Sequence, residues 1–595
     1  MLPVWMIAAM SSIARRHGAP LGERMEHGTQ TCEVLVIGSG AGGLSTAITA
    51  KKHGLDVVVI EKEDHFGGTT AFSGGVLWIP GNAHAARAGH ADSRDAAVTY
   101  LRNETGNYFS EKAIDAFLDQ GPRMLDFFER ETEAKFVLSG YPDYHPDVAG
   151  GAAIGRSVTA APYDARNLGD EIKRLRPPLS TITFIGMMFN SSNEDLKHFF
   201  RATRSLRSAV YVAKRLVSHF KDLALYGRGV QITSGNALVA RLAKTAFDLK
   251  IPIVTGTAAK HLLIENGAVT GAVVSSGGRE RRIVARRGVV LACGGFPHDL
   301  ERIARAYPHL AQGGEHVSPT LEGNTGDGIK MAEAAGAVCD IRFPNAAAWM
   351  PVSKVPMGQG RTGVFPHLVD RYKPGVIAVN RRGLRFANES NSYHDTGAAM
   401  IADHAGERET TAWLICDHAT IRKYGLGYAK PAPVPIGIYL RNGYLQSASS
   451  LRDLAAKIGV DFGGLHRTVS DYNIGAAAGE DRQFGRGTTA FNRFLGDPEH
   501  KPNPTVAPIG KGPYYALQIF MGDLGTFDGL TTDTVGRVLT RASQPIPGLY
   551  AVGNDRASIM GGNYPGAGIT LGPIMTFGYI TGRHLAGHDD AASAA

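Results

Sequence analysis

Only four cysteines occur in 595 residues, and Cys32, Cys293, Cys339 and Cys416 stand far apart with no C-x-x-C pair among them. That scarcity excludes a disulfide framework and offers no zinc-ligand spacing, so no metal is expected. Long hydrophobic runs are also missing: no stretch of about 18 apolar residues occurs, which leaves no candidate for a membrane-crossing helix. Neither charge sign dominates, with 63 Lys and Arg against 55 Asp and Glu, a net of +8. No Lys/Arg tract with interleaved aromatics resembles a nucleic-acid surface, so nucleic acid is not an expected partner. At the N-terminus the apolar stretch Met1–Met10 precedes Arg15-Arg16, the reverse of the charge order of a signal peptide. Residues 1–30 therefore read as a disordered extension, or as sequence upstream of a start at Met25, and 588–595 as a disordered tail. A cytoplasmic location is the expectation.

Glycine, by contrast, is abundant: 74 residues, gathered in short motifs rather than in a repeat. A collagen-like chain is excluded, and backbone packed closely around a large ligand is indicated. The most informative motif begins Val34-Leu35-Val36-Ile37 and continues Gly38-Ser39-Gly40-Ala41-Gly42-Gly43. A small-residue stretch with helical character follows, and then Val57-Val58-Val59-Ile60-Glu61-Lys62. Strand, G-x-G-x-x-G, helix, strand and terminal acid form the βαβ dinucleotide fingerprint. Gly38 permits the tight turn, Gly40 lets the backbone approach a pyrophosphate, and Gly43 lets the helix pack on the strand. The helix N-terminus offers free N–H groups to the phosphates, and Glu61 is placed to accept from the adenosine ribose. The loop Gly67-Gly68-Thr69-Thr70-Ala71-Phe72-Ser73-Gly74-Gly75 suits a wrap around a polar ligand.

The length exceeds one ordinary core, so two or more domains are expected. Apolar runs at 251–254, 268–274 and 283–291 predict a strand-rich insertion that returns to the main sheet before Gly294-Gly295. A further strand at 548–552 enters the turn Gly553-Asn554-Asp555, and a helical segment follows from Gly566 to Ala586. The fold class is α/β: a discontinuous Rossmann-like dinucleotide domain over 31–349 and 515–587, with an α+β substrate (capping) domain inserted at 350–514. Segment 171–229 differs in kind. Between Glu194 and Lys221, Lys197, Arg201, Arg204, Arg207, Lys214, Arg215 and Lys221 alternate with Phe199, Phe200, Leu206, Val210, Val212 and Leu216. Surface helices with solvated cationic faces are the plainer reading; helices lying on a membrane are its rival.

One fingerprint alone implies a single FAD, with electrons leaving to an acceptor that the sequence does not identify. Five ordered blocks extend this: 38–43, 67–75, Asn324-Thr325-Gly326-Asp327-Gly328, Arg385-Phe386-Ala387-Asn388-Glu389 and Gly548-Leu549-Tyr550-Ala551-Val552-Gly553-Asn554. From Cys32 to Gly587 the chain resembles the FAD-dependent family that joins fumarate reductase flavoproteins with 3-ketosteroid dehydrogenases. A fumarate reductase clamps a dicarboxylate with Arg and His groups. Where that branch carries Arg after the Arg-Phe-x-Asn-Glu block, this chain has Tyr393, and its C-terminal block reads Asn563-Tyr564-Pro565-Gly566-Ala567-Gly568.

That block is similar to the ketosteroid 1-dehydrogenase pattern. The resemblance implies that Tyr564 OH and Gly568 N–H bind the substrate ketone oxygen, where two donors stabilise a developing enolate. It implies Tyr393 as the base for the α proton, with Tyr144 as the relay and His394 as a weaker candidate for that part. Cofactor contacts are expected from Gly38, Ser39, Gly40, Ala41, Gly42, Gly43, Glu61, Lys62, Gly68, Thr69, Thr70, Ser73, Gly74 and Gly75. Further along, Gly294, Gly295, Asp327, Asn554, Gly568, Thr570 and Leu571 complete the set. The FAD is expected to be non-covalent, because Phe72 stands mid-loop and no His does. The implied reaction is α,β-dehydrogenation of a 3-ketosteroid-like apolar ketone. Segment 178–227 is longer than that reaction requires and leaves room for another extended ketone. The alternatives are an ene-reductase acting on a small unsaturated acid or ketone, and a flavoprotein that only transfers electrons.

Overall fold

The computed structural model describes residues 29–189, 198, 199, 202 and 205–588. The expected N-terminal extension, most of the expected tail, and Lys197, Phe200, Arg201 and Arg204 of the basic segment lie outside the described residues.

Strand β1 (Gln30–Ile37) forms where valine, leucine and isoleucine suit a pleated surface buried on both faces, and Val34 to Val36 are fully buried. It pairs in parallel with β2 (Val57–Ile60) on one side and with the strand Arg279–Leu291 on the other, so Leu35 lies between Val58 and Val289. Helix α1 (Ala41–Lys52) makes the crossover between β1 and β2. The sheet continues through Pro545–Ala551 to Arg537–Leu539 at one edge and through Ile253–Val254 at the other. The antiparallel strands Thr257–Glu265 and Ala268–Ser276 extend from Arg279–Leu291, the strand-rich insertion anticipated from the apolar runs. The fold is α/β, and its nucleotide sheet is built from widely separated pieces of chain.

A second, antiparallel sheet runs Arg361–Pro366, Ala347–Gly358, Tyr514–Thr526, Thr411–Asp417, Ile377–Val379, with Gln446–Ala448 also on Tyr514–Thr526. The boundaries expected near 349 and 515 fall inside or at the start of strands of this sheet. Hydrophobic runs mark strands, whereas membership of a sheet depends on pairing partners far along the chain.

The helix Leu571–Leu585 packs on α1, on the long helix Glu111–Glu131 and on the short strand Val76–Trp78. A buried ion network ties down the loop of the second sheet that leads to the site. The Arg385 guanidinium donates to both Glu389 oxygens at 2.7 Å and to Asp481 at 2.8 Å, while Arg486 reaches Glu389 at 3.3 Å. Paired and hydrogen-bonded charges of this kind are costly to break singly. This is the structural use of the Arg385–Glu389 block.

Candidate active site

One continuous cavity of about 470 Å³ runs from the β1–α1 turn to a cluster of tyrosines. Its first part is backbone. Gly38 has φ +112°, and a Cβ there would meet Ala292 O at 2.1 Å. Only glycine fits a turn this tight. A Cβ on Gly43 would stand 2.0 Å from Gly38 O, so this residue serves the closure of α1 on β1 and is not among those lining the cavity. Gly38, Ser39, Gly40, Ala41 and Gly42 do line it, and the N-terminus of α1 carries no side-chain cap on Gly40. Its N–H groups are therefore directed at whatever fills the turn, apart from Ala41 N–H, which donates to Thr70 Oγ1 at 3.1 Å.

Glu61 at the end of β2 is buried and oriented. One of its oxygens accepts from Ser39 Oγ at 2.6 Å and from Ser39 N–H at 3.2 Å, the other from Glu63 N–H at 3.1 Å. A carboxylate has about four acceptor sites, so it keeps acceptor capacity toward the cavity that it lines. Lys62 donates to Asp327 at 2.6 Å, and Asn324 Nδ2 to Thr69 Oγ1 at 2.9 Å, bringing the third block onto the Gly68–Gly75 loop. Gly68, Thr69, Thr70, Ser73, Gly74, Gly75, Gly294, Asp327, Asn554, Gly568, Thr570 and Leu571 all line the cavity. Gly295 does not; its N–H donates to Asp555 at 3.0 Å behind the wall. Asp555 also takes Cys293 N–H at 2.5 Å, and burial raises its pKa. The expected set omitted Asn324, Cys293, Gly553 and Ser234, which line the cavity, and the supporting Asp555. Asn324 and Gly553 stood in the quoted blocks, whereas Ser234 carried no motif.

The tyrosine end is assembled from three distant segments. Tyr393 is the first residue of the helix Tyr393–Asp403, whose N-cap Ser392 accepts from Asp395 N–H at 3.1 Å. Tyr144 and Tyr564 are joined through Pro565, whose carbonyl takes Tyr144 N–H at 2.8 Å and Tyr100 OH at 2.6 Å. Below them, Asp143 accepts from Trp78 Nε1 at 2.8 Å and from Arg156 at 2.7 Å. The result is a compact triad: Tyr144 OH donates to Tyr393 OH at 3.2 Å, and the rings of Tyr144 and Tyr564 stack at 5.5 Å. The Tyr393 and Tyr564 rings stand 5.0 Å apart, edge to face. Burial pushes all three phenols above their usual pKa, and for Tyr393 the neighbouring phenols add to the rise. No neighbour lowers Tyr393, so a base at this position depends on proton relay.

His394 takes no part in the triad's hydrogen bonds. Its Nδ1 accepts from Trp349 N–H at 3.2 Å, and burial lowers its pKa to about 4. His145 is the titratable group coupled to both tyrosine segments. It bridges Glu104 at 2.9 Å and Asp395 at 3.0 Å, and although burial opposes its charge, these carboxylates raise its pKa to about 10. At Gly568, φ is +95° and a Cβ would meet Val76 backbone at 2.6 Å. Here the glycine answers a close approach of two chains, with Gly568 O accepting Trp78 N–H at 3.1 Å.

The chain matches the family described as FAD binding domain over residues 33–571. It is 45% identical over 560 residues to a 4-oxocyclohex-2-ene-1-carboxylate 5-dehydrogenase of Sinomonas cyclohexanicum, covering 94% of each chain. It is 37% identical over 569 residues to a 3-oxosteroid 1-dehydrogenase of Mycobacterium tuberculosis, covering 94% of this chain and 98% of the relative. The crystal structure of a 3-ketosteroid delta1-dehydrogenase from Sterolibacterium denitrificans superposes with a TM-score of 0.86 at 36% identity, covering 94% of this chain and all of that one. The chain belongs to the FAD-dependent flavoprotein family that joins 3-ketosteroid dehydrogenases with fumarate reductases. It is an FAD-dependent oxidoreductase, and the glycine turn, the uncapped helix N-terminus and the buried Glu61 fit that cofactor.

Proposed function

We propose that the protein dehydrogenates the α,β carbon–carbon bond of a ring ketone of 3-ketosteroid type. The observation that carries this reading is the contact of Tyr144, Tyr393 and Tyr564 on the wall of the same cavity that the dinucleotide turn lines. Bound FAD would supply the acceptor for the hydride leaving the β carbon. Glu61 would hold its ribose, Lys62 and Asp327 would fix the turn around it, and the first turn of Leu571–Leu585 would direct its dipole at the ring system. Tyr564 OH and Gly568 N–H would bind the ketone oxygen and stabilise the charge that builds there as the α proton departs. Tyr393 would take that proton as the phenolate, its own proton having passed through Tyr144 OH to solvent before the step, and Tyr144 OH would donate to that phenolate.

The substrate end of the wall supports a neutral, extended molecule. It comprises Leu179, Ile182, Met188, Phe189, Leu368, Val369 and Leu495 together with tyrosines. Among the described residues the wall carries one cation, Lys62, already paired with Asp327. A second substrate deserves a direct comparison, because the 45% identical relative is named for a cyclohexenone carboxylate. Anaerobic stopped-flow bleaching of the flavin band by 4-androstene-3,17-dione and by 4-oxocyclohex-2-ene-1-carboxylate separates the two. Faster bleaching by the steroid supports the proposal; faster bleaching by the carboxylate transfers the reading to small ring acids; bleaching by neither removes the ketone reading.

A further inference from the structure

A second polar row runs beside the three tyrosines and joins the segments that carry them. Tyr144 is followed by His145, Asp395 lies two residues beyond Tyr393, and Asn563 precedes Tyr564. These neighbours meet on the helix Arg94–Thr105. His145 Nδ1 bonds Glu104 Oε2 at 2.9 Å and His145 Nε2 bonds Asp395 Oδ2 at 3.0 Å, while Asn563 Nδ2 donates to Glu104 O at 2.7 Å. Tyr100, one turn before Glu104 on the same helix face, accepts His145 N–H at 3.3 Å and donates its hydroxyl to Pro565 O at 2.6 Å. Asp395 Oδ2 also accepts, at 2.8 Å, from Ser392 Oγ, the cap of the helix that Tyr393 opens. None of these groups lines the cavity.

We infer that His145 is a positioning residue: as an imidazolium strut between Glu104 and Asp395 it sets the spacing of the tyrosine hydroxyls, without touching substrate. The geometry requires the charge. A neutral imidazole has one N–H and donates to one carboxylate, so bonding both needs hydrogen on each nitrogen. Each link is then charge-assisted and stronger than a bond between neutral groups. The contact that the strut governs is the weak one. Tyr144 OH to Tyr393 OH at 3.2 Å is long for an O–H···O bond, whose usual range ends at about 3.0 Å. A slight separation of the two segments breaks it, and the His145–Asp395 link, one residue from Tyr144 and two from Tyr393, resists that separation. Resting on the function proposed above, the spacing matters because Tyr144 OH must reach Tyr393 for its phenolate to form and be stabilised.

The test pairs a structural readout with a kinetic one, both on FAD-loaded enzyme. Crystal structures of the wild type and of His145→Gln report the Tyr144–Tyr393 hydroxyl distance whether or not any ketone reacts. In His145→Gln that distance is expected to open beyond about 3.5 Å, with the fold and flavin content retained. In stopped flow with 4-androstene-3,17-dione, His145→Gln and Asp395→Asn should each reduce the flavin about 10- to 100-fold more slowly. Affinity for 1,4-androstadiene-3,17-dione, the product expected from that steroid, should stay within about twofold. The double variant should be no slower than either single one, because both changes cut the same strut. An unchanged hydroxyl distance, rate losses that multiply in the double variant, or a loss confined to affinity each overturns the inference. Should His145→Gln fail to fold, Asp395→Asn carries both readouts. A wild type that no ketone reduces counts against the proposed reaction, and the hydroxyl distance then decides the strut by itself.

Discussion

Tyr393 and Tyr564 touch each other, yet the proposed chemistry gives them separable signatures. Tyr393→Phe removes the base and leaves the carbonyl donors, so ligand binding should persist while stopped-flow flavin reduction collapses. Tyr564→Phe removes one donor to the developing enolate and should slow reduction by about 100- to 1000-fold with a smaller loss in binding. Wild-type reduction by Tyr393→Phe would assign that ring to packing. Because burial raises the Tyr393 and Tyr144 phenols, the reduction rate should climb with pH and show no plateau below about pH 10. A plateau near neutrality would point to a different base. His145 gives a second pH dependence, in stability. Its folded pKa is about 10 against an ordinary 6.5, so its contribution is complete below pH 6.5 and is lost as pH rises toward 10. Its partner Asp395 is held below its usual pKa, so that side of the bridge fails only on acidification. His145→Gln should destabilise by about 1 kcal/mol after solvent screening, and the melting difference from wild type should vanish by pH 10. A difference that stays constant with pH would show that His145 acts through packing alone.

At the scale of the element, the β1–α1–β2 unit gathers the glycine turn, the uncapped helix N-terminus and the buried Glu61 into about thirty residues. Glu61→Ala leaves ribose hydroxyls and Ser39 unpaired and should weaken FAD retention by about 1–3 kcal/mol, read as flavin lost on dilution. Unchanged occupancy would remove Glu61 from the cofactor site. This unit was legible because each requirement is local: glycine where φ is positive, a valine run for a doubly buried strand, an acid at the strand end. The Gly294-Gly295 pair shows where local reading stops. Both glycines sit in one turn after a strand, but only Gly294 lines the cavity, while Gly295 turns its N–H to Asp555 some 260 residues away. The helix Leu206–Tyr226 shows the same limit, since its cationic pattern was visible and the side it turns to solvent, with Leu206 and Val217 exposed, was not.

For the whole molecule, the cavity is closed by both sheets, so the cofactor should act as a staple between distant pieces of chain. The loop 69–75 carries no histidine, and FAD should be released by acid precipitation with the flavin recovered in the supernatant. Fluorescence retained in the washed pellet would demonstrate a covalent link. Removal of FAD should also lower the melting temperature, by an amount that grows with the free FAD concentration restored, as required for a ligand that binds only the folded state.

The sequence by itself determined the nucleotide turn, the family blocks and the three tyrosines, because backbone conformation, strand burial and motif identity are encoded over a few neighbouring residues. Tertiary structure alone decided that Tyr144 and Tyr393, 249 positions apart, share a hydrogen bond. It also decided that His394 faces Trp349, that His145 bridges Glu104 and Asp395, and that the strand beginning at Tyr514 joins the second sheet. Each of these depends on which surfaces meet after long loops close, and neither a residue's type nor its spacing from its neighbours specifies that partner.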